Sequence, residues 1–381
     1  MSAHAVACKV FATPEGLTVE WADGSRGEFA SIWLRDNLPE HRDPHSGQRL
    51  VDIADLPERP RIRRASAGEG SVLVEWEDES ETASFALDWL AAQGRSERRP
   101  ETAARRWLVG SALEAARDFA WASFAEARED RALRRSWLMR LIKDGVAFLR
   151  NVPATEEAIL EAMQLIGQVA ETNYGLVFDV RSVAEPENLA YSDLGLGLHT
   201  DNPYREPVPG FQALHALIAS PDGGDSLFAD GFALAEHIRS TDPAGFLLLT
   251  QTPVPFHYRS RSADLYAERP LIQLSCRGAV TAVHYNSRSI APLLDLSARA
   301  ATAFYAAYRR FAALLRDPRY QLKFRLADGE LVVFDNQRIL HGRTAFASAR
   351  RARHLRGCYL TRDSVYSTAA LLCRGQLGDA R

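Results

Sequence analysis

Two histidines and an aspartate have the residue types and the spacing of a metal site. His199-Thr-Asp201 puts an imidazole and a carboxylate two residues apart, and His341 comes much later, after the apolar run at residues 331–334. On a β-strand, side chains two residues apart project from the same face, so His199 and Asp201 could share one ion. A His-x-Asp tripeptide is common by chance and is weak evidence by itself. Together with the distant His341, it predicts a three-ligand metal site.

This ligand set indicates an oxygenase. Two imidazoles and one carboxylate hold iron(II) by one face and leave positions open for a chelating 2-oxo acid and dioxygen. Arg353, beyond the second histidine, could bind the far carboxylate of that acid through two parallel hydrogen bonds. Two alternatives stay open: a cupin-like hydrolase or isomerase that uses zinc or manganese, and a non-catalytic binding protein in which both histidines are structural.

Further segments resemble one family over nearly the whole chain. They are Trp33-Leu-Arg-Asp-Asn37, Leu198-His-Thr-Asp201, Gly223-Gly-Asp-Ser226 with Asp230-Gly-Phe232, and Arg353-His-Leu355. In this order they resemble the taurine dioxygenase superfamily of iron(II)/2-oxoglutarate oxygenases, and more closely its γ-butyrobetaine dioxygenase-like branch.

The resemblance implies a mixed β fold with helices: a double-stranded β-helix (jelly roll) for catalysis and a small β-rich N-terminal domain. It implies that iron(II) binds to His199, Asp201 and His341, with 2-oxoglutarate and O2 as co-substrates. Arg353 would then hold the distal carboxylate of 2-oxoglutarate, and Ser226 is a weaker candidate for a second contact. The family also implies a homodimer.

The resemblance further implies an aromatic box for a trimethylammonium group, which ring faces attract. The matching box positions are Tyr174, Phe178, Tyr191 and Tyr359, and animal relatives have tryptophan at the second of them. Polar contacts to the substrate's anionic end are expected from Asn202, Asn286 and Arg288, and Asn188 is also expected to contact the substrate. The segment 173–198 carries several of these residues and is the candidate for a loop that closes over the substrate.

Two residues bear on the identity of the substrate. Asn202 replaces an aromatic residue of the animal enzymes and adds a hydrogen-bond donor, and Arg288 adds a positive charge. A dianionic head group would use that charge better than a carboxylate. The sequence therefore favours 2-(trimethylamino)ethylphosphonate, hydroxylated beside phosphorus, and keeps γ-butyrobetaine hydroxylation to L-carnitine as the close alternative.

Relatives carry three cysteines and a histidine in the N-terminal domain as a structural zinc site. The cysteine positions correspond here to Leu38, Glu40 and Asp43, and residues 81–85 contain no histidine. All four ligands are missing together, so no structural zinc is expected.

The elements that must position these residues form two predicted domains, residues 1–95 and 105–381. Similar strand patterns at 17–21 and 72–76 predict two equivalent hairpins that share one small sheet in the first domain. In the second, apolar periodicity predicts helices at 112–127, 133–142, 233–240 and 298–315, and another that opens at Thr155. Short strands, including 331–334 and 358–360, complete the pattern of a jelly roll.

Composition excludes several other classes. The chain has 381 residues, 46 Lys and Arg against 49 Asp and Glu, and four cysteines. A net charge of −3 gives no reason to expect nucleic acid or a membrane surface as a partner. Widely separated cysteines, and the lack of a signal-like start or a membrane-length apolar run, predict a cytoplasmic protein. The near-neutral charge accords with the small zwitterionic substrate that the family resemblance implies.

Overall fold

The computed structural model describes residues 7–79, 81–94, 104–107, 119–181, 195–219, 223–345 and 353–374. The chain divides into two compact units, residues 1–101 and 102–381. Among the described residues, no helix combines the length and the apolar character that crossing a membrane requires.

The first unit repeats one motif, a three-stranded antiparallel sheet followed by a helix. Its elements are β1 (Ala7–Thr13), β2 (Gly16–Trp21), β3 (Arg26–Ala30), α1 (Ser31–Asp36), β4 (Ile62–Ala67), β5 (Ser71–Trp76), β6 (Thr82–Ala86) and α2 (Leu87–Gly94), with short 3-10 turns at Pro39–His41 and Ile53–Asp55. Alternate residues of β2 and β5 are buried, and Val19 and Trp76 are completely enclosed in one shared core. The two predicted equivalent hairpins are present, each with a third strand, but the prediction that they share one small sheet was wrong, because they belong to two separate sheets.

The second unit contains the remaining elements. They are β7 (Ala120–Ser123), α3 (Phe124–Glu129), α4 (Arg131–Asp144), β8 (Val146–Arg150), α5 (Ala158–Gln164), β9 (Val169–Ala170), β10 (Phe178–Val180), β11 (Leu196–His199), β12 (Phe211–Ile218), β13 (Ser226–Asp230), α6 (Gly231–Thr241), α7 (Pro243–Gln251), β14 (Val254–Arg259), β15 (Asp264–Arg269), β16 (Ile272–Leu274), β17 (Val280–Val283), α8 (Ala298–Leu314), β18 (Leu322–Phe324), β19 (Leu331–Asp335), β20 (Ile339–Arg343), β21 (His354–Leu360) and α9 (Arg362–Arg374). A 3-10 turn at Pro318–Tyr320 precedes β18.

Two sheets of this unit form the jelly roll. The larger has the order β10-β21-β12-β19-β8-β7, with β9 also paired to β21, and the smaller has the order β11-β20-β13-β18. The chain passes from one sheet to the other between β12 and β13 and again between β19, β20 and β21. This alternation is that of a double-stranded β-helix, and the predicted mixed β fold with helices is confirmed. Two small hairpins, β14-β15 and β16-β17, accompany the sheets.

Strand β19 shows why the sequence folds this way. All five of its residues are buried, as a near-continuous apolar run predicts for a strand covered on both faces. Leu331 and Val333 pack into the core that includes buried residues of α4, α5 and α9, whereas Val332 and Phe334 pack into a second core with Phe228 of β13. Burial of the four apolar side chains of β19 stabilises the sheet by roughly 1.5–3 kcal/mol each.

Several predicted boundaries were wrong. Residues 120–123, expected within a helix over 112–127, form strand β7 parallel to β8, where Trp121 stacks on Phe148 at a centroid distance of 4.4 Å. Pairing across the sheet thus outweighs local helical periodicity; residues 108–118 lie outside the described part of the chain. Helix α5 begins at Ala158, and Glu157, not Thr155, occupies its cap position.

Candidate active site

Strands β11 and β20 bring the three predicted metal ligands together. His199 ends β11 and pairs across the sheet with His341 in the middle of β20, at a ring-centroid distance of 4.3 Å. Asp201 follows just beyond the end of β11. Its Oδ1 lies 3.2 Å from Nε2 of His199, and its Oδ2 lies 3.7 Å from Nε2 of His341. One ligand atom from each residue falls within 4.8 Å of the others.

The electrostatic state of this cluster suits a divalent metal. Nδ1 of His199 lies 2.9 Å from the carbonyl oxygen of Gly197, so an Nδ1–H donor there leaves Nε2 free to bind a metal. Burial lowers the pKa of His341 to about 3, which keeps its imidazole neutral. Burial would raise the pKa of Asp201, but the two imidazoles and the Tyr359 hydroxyl hold it well below its usual value. The neutral imidazole of His341 beside the ionised carboxylate of Asp201 suits iron(II), which binds imidazole nitrogens and carboxylate oxygens.

Two buried arginines line the same cavity as the triad. Arg353 precedes β21, Arg343 ends β20, and both are only 6% exposed. Burial and the neighbouring Arg343 guanidinium lower the pKa of Arg353 to about 10. Ser226, at the start of β13, pairs in register with Arg343 and also lines the cavity. Two guanidiniums and a hydroxyl make this end of the cavity a site for a carboxylate.

Arg343 was missed by the sequence reasoning, although a signal for it exists. It lies two residues after His341 on one strand, and side chains at that spacing share a face. Gln212 of β12 was also missed; it lines the cavity opposite Tyr359 in the sheet register. Its position depends on strand pairing, which the sequence alone does not reveal.

Aromatic side chains line another part of the cavity. Phe178 lies 5.0 Å from Tyr359 and 6.3 Å from Tyr174, measured between ring centroids, and all three rings are cavity-lining. Behind Tyr174, Tyr204 stacks on Tyr258 at 5.0 Å, and Tyr174 hydrogen bonds with both hydroxyls. Burial raises the pKa of Tyr204 to about 12, so its phenol stays neutral. The supporting pair Tyr204 and Tyr258 was not anticipated.

The polar residues predicted for the substrate's anionic end divide into two groups. Asn202 and Arg288 line the cavity. Asn202 has a positive φ of 55°, its Oδ1 accepts a hydrogen bond from the Tyr204 hydroxyl at 2.6 Å, and its buried Nδ2 has no partner among the described residues. Arg288 forms no ion pair with another described residue, but the nearby Asp201 carboxylate favours its positive charge.

Asn286 differs from this expectation. Its Nδ2 donates to the carbonyl oxygen of Thr200 at 3.1 Å, and its Oδ1 accepts from the backbone N–H of Arg288 at 3.2 Å. Both polar groups of the side chain are therefore engaged, and Asn286 does not line the cavity. Asn286 therefore holds the backbone at Thr200 and at Arg288 and is not placed for the predicted direct contact with the substrate. Asn188, Tyr191 and half of the candidate closing loop, residues 182–194, lie outside the described residues.

Comparisons with known proteins bear on this geometry. The sequence model of the family described as taurine catabolism dioxygenase TauD, TfdA family matches residues 110–359. The chain belongs to that dioxygenase family. A second model, the N-terminal domain of γ-butyrobetaine hydroxylase-like proteins, matches residues 9–91. The predicted resemblance and the predicted 2-oxoglutarate-dependent dioxygenase activity are thereby confirmed.

Three relatives within the TauD, TfdA family match nearly the whole chain. γ-Butyrobetaine dioxygenase of Pseudomonas sp. (strain AK-1) is 36% identical, covering 94% of this chain and 94% of that protein. Trimethyllysine dioxygenase of Meyerozyma guilliermondii is 26% identical, covering 95% and 94%. γ-Butyrobetaine dioxygenase of Homo sapiens is 26% identical, covering 93% and 94%. Iron(II), 2-oxoglutarate and O2 fit this family and the His-Asp-His cluster, which decides against the hydrolase and binding-protein alternatives.

Proposed function

We propose that this dioxygenase hydroxylates γ-butyrobetaine to L-carnitine. The observation that carries the proposal is the 36% identity to a γ-butyrobetaine dioxygenase along 94% of both chains. A cavity that combines aromatic faces, a cation and a three-ligand metal cluster supports it. A trimethylammonium carboxylate has the matching chemistry, a cation that cannot donate hydrogen bonds at one end and an anion at the other.

In this proposal each group has one task. His199, Asp201 and His341 would hold iron(II), which with O2 and 2-oxoglutarate supplies the oxidising power to hydroxylate an unactivated C–H bond. Arg353, with Arg343 and Ser226 beside it, would hold the distal carboxylate of 2-oxoglutarate. In the overall reaction, one oxygen atom of O2 enters the new hydroxyl group, the other enters succinate, and CO2 leaves.

Substrate orientation follows from the two ends of the cavity. The rings of Tyr174, Phe178 and Tyr359 would receive the trimethylammonium group, and Tyr191 stays a predicted fourth wall. Arg288 and the unpartnered Nδ2 of Asn202 would bind the carboxylate, with Asn188 still a predicted contact. Fixing both ends places one carbon of the chain beside the metal cluster, and this positioning is the protein's main contribution to rate and regiochemistry.

We place γ-butyrobetaine ahead of the phosphonate that Arg288 and Asn202 favoured on sequence alone. A guanidinium binds a carboxylate and a phosphonate through the same pair of hydrogen bonds, so Arg288 does not distinguish them. 2-(Trimethylamino)ethylphosphonate remains the second candidate because its anionic head could bind the cavity-lining Arg288 in the same way.

A competition assay tests the proposal. The iron-loaded enzyme is given γ-butyrobetaine, 2-(trimethylamino)ethylphosphonate or trimethyllysine, and kcat/KM is measured from O2 consumption and succinate formation. We expect γ-butyrobetaine to have the highest value. A higher kcat/KM for either other substrate would overturn the assignment while leaving the dioxygenase class intact.

A variant pair tests the anionic end. Arg288→Gln removes the cavity-facing charge and is expected to raise the KM for γ-butyrobetaine about tenfold. Arg277→Gln, which changes an exposed arginine that does not line the cavity, serves as the matched control and should leave KM unchanged. Equal KM values for the two variants would remove Arg288 from the proposed substrate site.

A further inference from the structure

Asn336 holds the backbone of Asp201 from both sides. Its Oδ1 accepts a hydrogen bond from the backbone N–H of Asp201 at 2.7 Å, and its Nδ2 donates to the carbonyl oxygen of Asp201 at 3.0 Å. The same Nδ2 donates to the carbonyl oxygen of Pro209 at 3.2 Å. Asn336 is completely buried. One amide side chain thus satisfies both backbone groups of a single distant residue.

Asp201 needs such support because strand pairing does not reach it. Strand β11 ends at His199, so the ladder that fixes His199 against His341 stops before the carboxylate ligand. The next residue, Asn202, has a left-handed φ of 55°, which turns the chain sharply away. Thr200 is held by other residues. It exchanges hydrogen bonds with the backbone of Tyr285, and its carbonyl oxygen accepts a hydrogen bond from Nδ2 of Asn286. Asn336 alone, among the described side chains, bonds to the backbone of Asp201.

The other end of this link is the turn that leads to the second histidine. Asn336 lies between β19 and β20, five residues before His341, and its own N–H donates to the carbonyl oxygen of Gly210 at 2.9 Å. Arg338 closes the turn by donating its N–H to the carbonyl oxygen of Asp335 at 3.0 Å. Asn336 therefore joins the backbone of the carboxylate ligand to the hairpin that carries His341.

We infer that Asn336 is a positioning residue that pre-organises the metal site by fixing Asp201 relative to His341. It touches neither the cavity nor a metal-binding atom, and acts only through the backbone of the ligand. The inference rests on the proposed iron site. Loss of such outer support weakens metal binding because the ligand must be ordered when the ion binds, typically by 10–100-fold.

The test is metal affinity, measured without turnover. Protein stripped of metal is titrated with Co2+ by calorimetry, and the visible absorption of the bound Co2+ reports its coordination. We expect Asn336→Ala to bind Co2+ about 10–100-fold more weakly than the unsubstituted protein, with an altered absorption spectrum. Asn336→Asp keeps the size and the acceptor for the Asp201 N–H but places an oxygen against two carbonyls, and it should lose affinity to a similar extent.

Gln337→Ala is the matched control. Gln337 lies in the same turn, where its Nε2 donates to the carbonyl oxygen of Val208 at 3.2 Å and its Oε1 accepts from Nη1 of Arg362 at 2.9 Å. Neither bond reaches Asp201. We expect this variant to keep the Co2+ affinity within about twofold, because it loses two side-chain hydrogen bonds without releasing a ligand. If Asn336→Ala does not fold, the Co2+ affinity of Asn336→Asp is compared with that of Gln337→Ala instead.

The outcomes separate the inference from the proposed function. His199→Ala lacks one proposed ligand and gives the background level of Co2+ binding. If the unsubstituted protein binds Co2+ no better than this variant, the proposed iron site itself is wrong. If it binds well but folded Asn336 variants bind equally well, the positioning role is overturned and the iron site stands. Equal losses in Gln337→Ala and Asn336→Ala would also overturn it, because they would indicate a general loosening of the turn.

Discussion

At the scale of single residues, the two oxygens of Asp201 have different neighbours. Oδ1 lies beside Nε2 of His199, whereas Oδ2 accepts a hydrogen bond from the Tyr359 hydroxyl at 2.8 Å. A carboxylate whose second oxygen is held by a donor tends to bind a metal through the first oxygen alone. That arrangement leaves three positions on the ion for 2-oxoglutarate and O2.

Tyr359→Phe separates this role from the aromatic box. The variant keeps the ring face beside Phe178 but loses the donor to Asp201, and a hydrogen bond to a charged group contributes about 1.5–3 kcal/mol. We expect the affinity for Co2+ to fall about tenfold or more, while the KM for γ-butyrobetaine stays within about twofold. Calorimetry and steady-state kinetics measure the two quantities.

Tyr366→Phe provides the control for that substitution. Tyr366, on α9, is a half-buried phenol that hydrogen bonds with Arg362 and does not line the cavity. Removing its hydroxyl should change neither the affinity for Co2+ nor the KM for γ-butyrobetaine. Unchanged metal affinity with a tenfold higher KM in Tyr359→Phe would instead show that the Tyr359 hydroxyl acts on the substrate and not on the metal ligand Asp201.

The sequence predicted the cavity-lining residues whose positions follow from local spacing or from the family resemblance. His199, Asp201, His341, Arg353 and Ser226 all line the cavity. Asn336 was missed because its contacts span residues far apart in the chain and exist only once the strands pair. Long-range hydrogen bonds of this kind leave no periodic pattern in the sequence.

At the scale of elements, the site depends on how closely β11 approaches β20. Gly342 lies between His341 and Arg343, and a Cβ there would come within 2.4 Å of the carbonyl oxygen of Leu196 and 3.1 Å of the backbone nitrogen of Leu198. Only a residue without a side chain allows that approach. The close contact keeps His199 and His341 within reach of one ion.

Gly342→Ala is therefore expected to push β11 away from β20. The free energy of unfolding should fall by about 1–3 kcal/mol, as for other overpacked positions, and Co2+ affinity should fall at least tenfold as the imidazoles separate. Denaturant unfolding and calorimetry measure these changes.

Gly197→Ala is the matched control on the neighbouring strand. A Cβ at Gly197 meets nothing within 4 Å, and the carbonyl oxygen that accepts from His199 is retained. This variant should keep its metal affinity. If Gly342→Ala binds Co2+ as tightly as Gly197→Ala, the close approach of the strands is not what sets the ligand geometry.

Helices and strands were predictable from the sequence where the spacing of apolar residues matched the face that the element buries. The helix at 298–315 and the strand at 331–334 were confirmed as α8 and β19, because each has an apolar pattern long or continuous enough to decide the structure. Residues 120–123 were assigned wrongly because a four-residue edge strand carries too short a pattern. Its structure is decided by pairing with β8 and by the stacking of Trp121 on Phe148.

At the scale of the whole molecule, two buried histidines away from the metal cluster couple stability to pH. Burial lowers the pKa of His215 to about 4. Burial, with the charges of Arg269 and Arg362, lowers the pKa of His284 to about 3. The unfolded chain takes up protons at these groups near pH 6.5, whereas the folded protein does not. Their contribution to stability is present above pH 6.5 and is lost as the pH falls toward 4 and 3.

The unfolding free energy should therefore fall between pH 6.5 and 5, by up to about 1.4 kcal/mol per pH unit for each histidine. Urea unfolding at pH 7, 6 and 5 measures the slope. His215→Leu removes one of the two groups and should make the slope shallower. His45→Asn, which replaces an exposed histidine, should not change it, and equal slopes for all three proteins would contradict the assignment.

The central claim is that His199, Asp201 and His341 hold iron(II) in a cavity that also binds 2-oxoglutarate. Adding iron(II) and then 2-oxoglutarate to the metal-free protein under anaerobic conditions tests it most directly. The account predicts a weak visible charge-transfer band that requires both additions and is absent in His199→Ala. No band in the unsubstituted protein, or an undiminished band in His199→Ala, would contradict it.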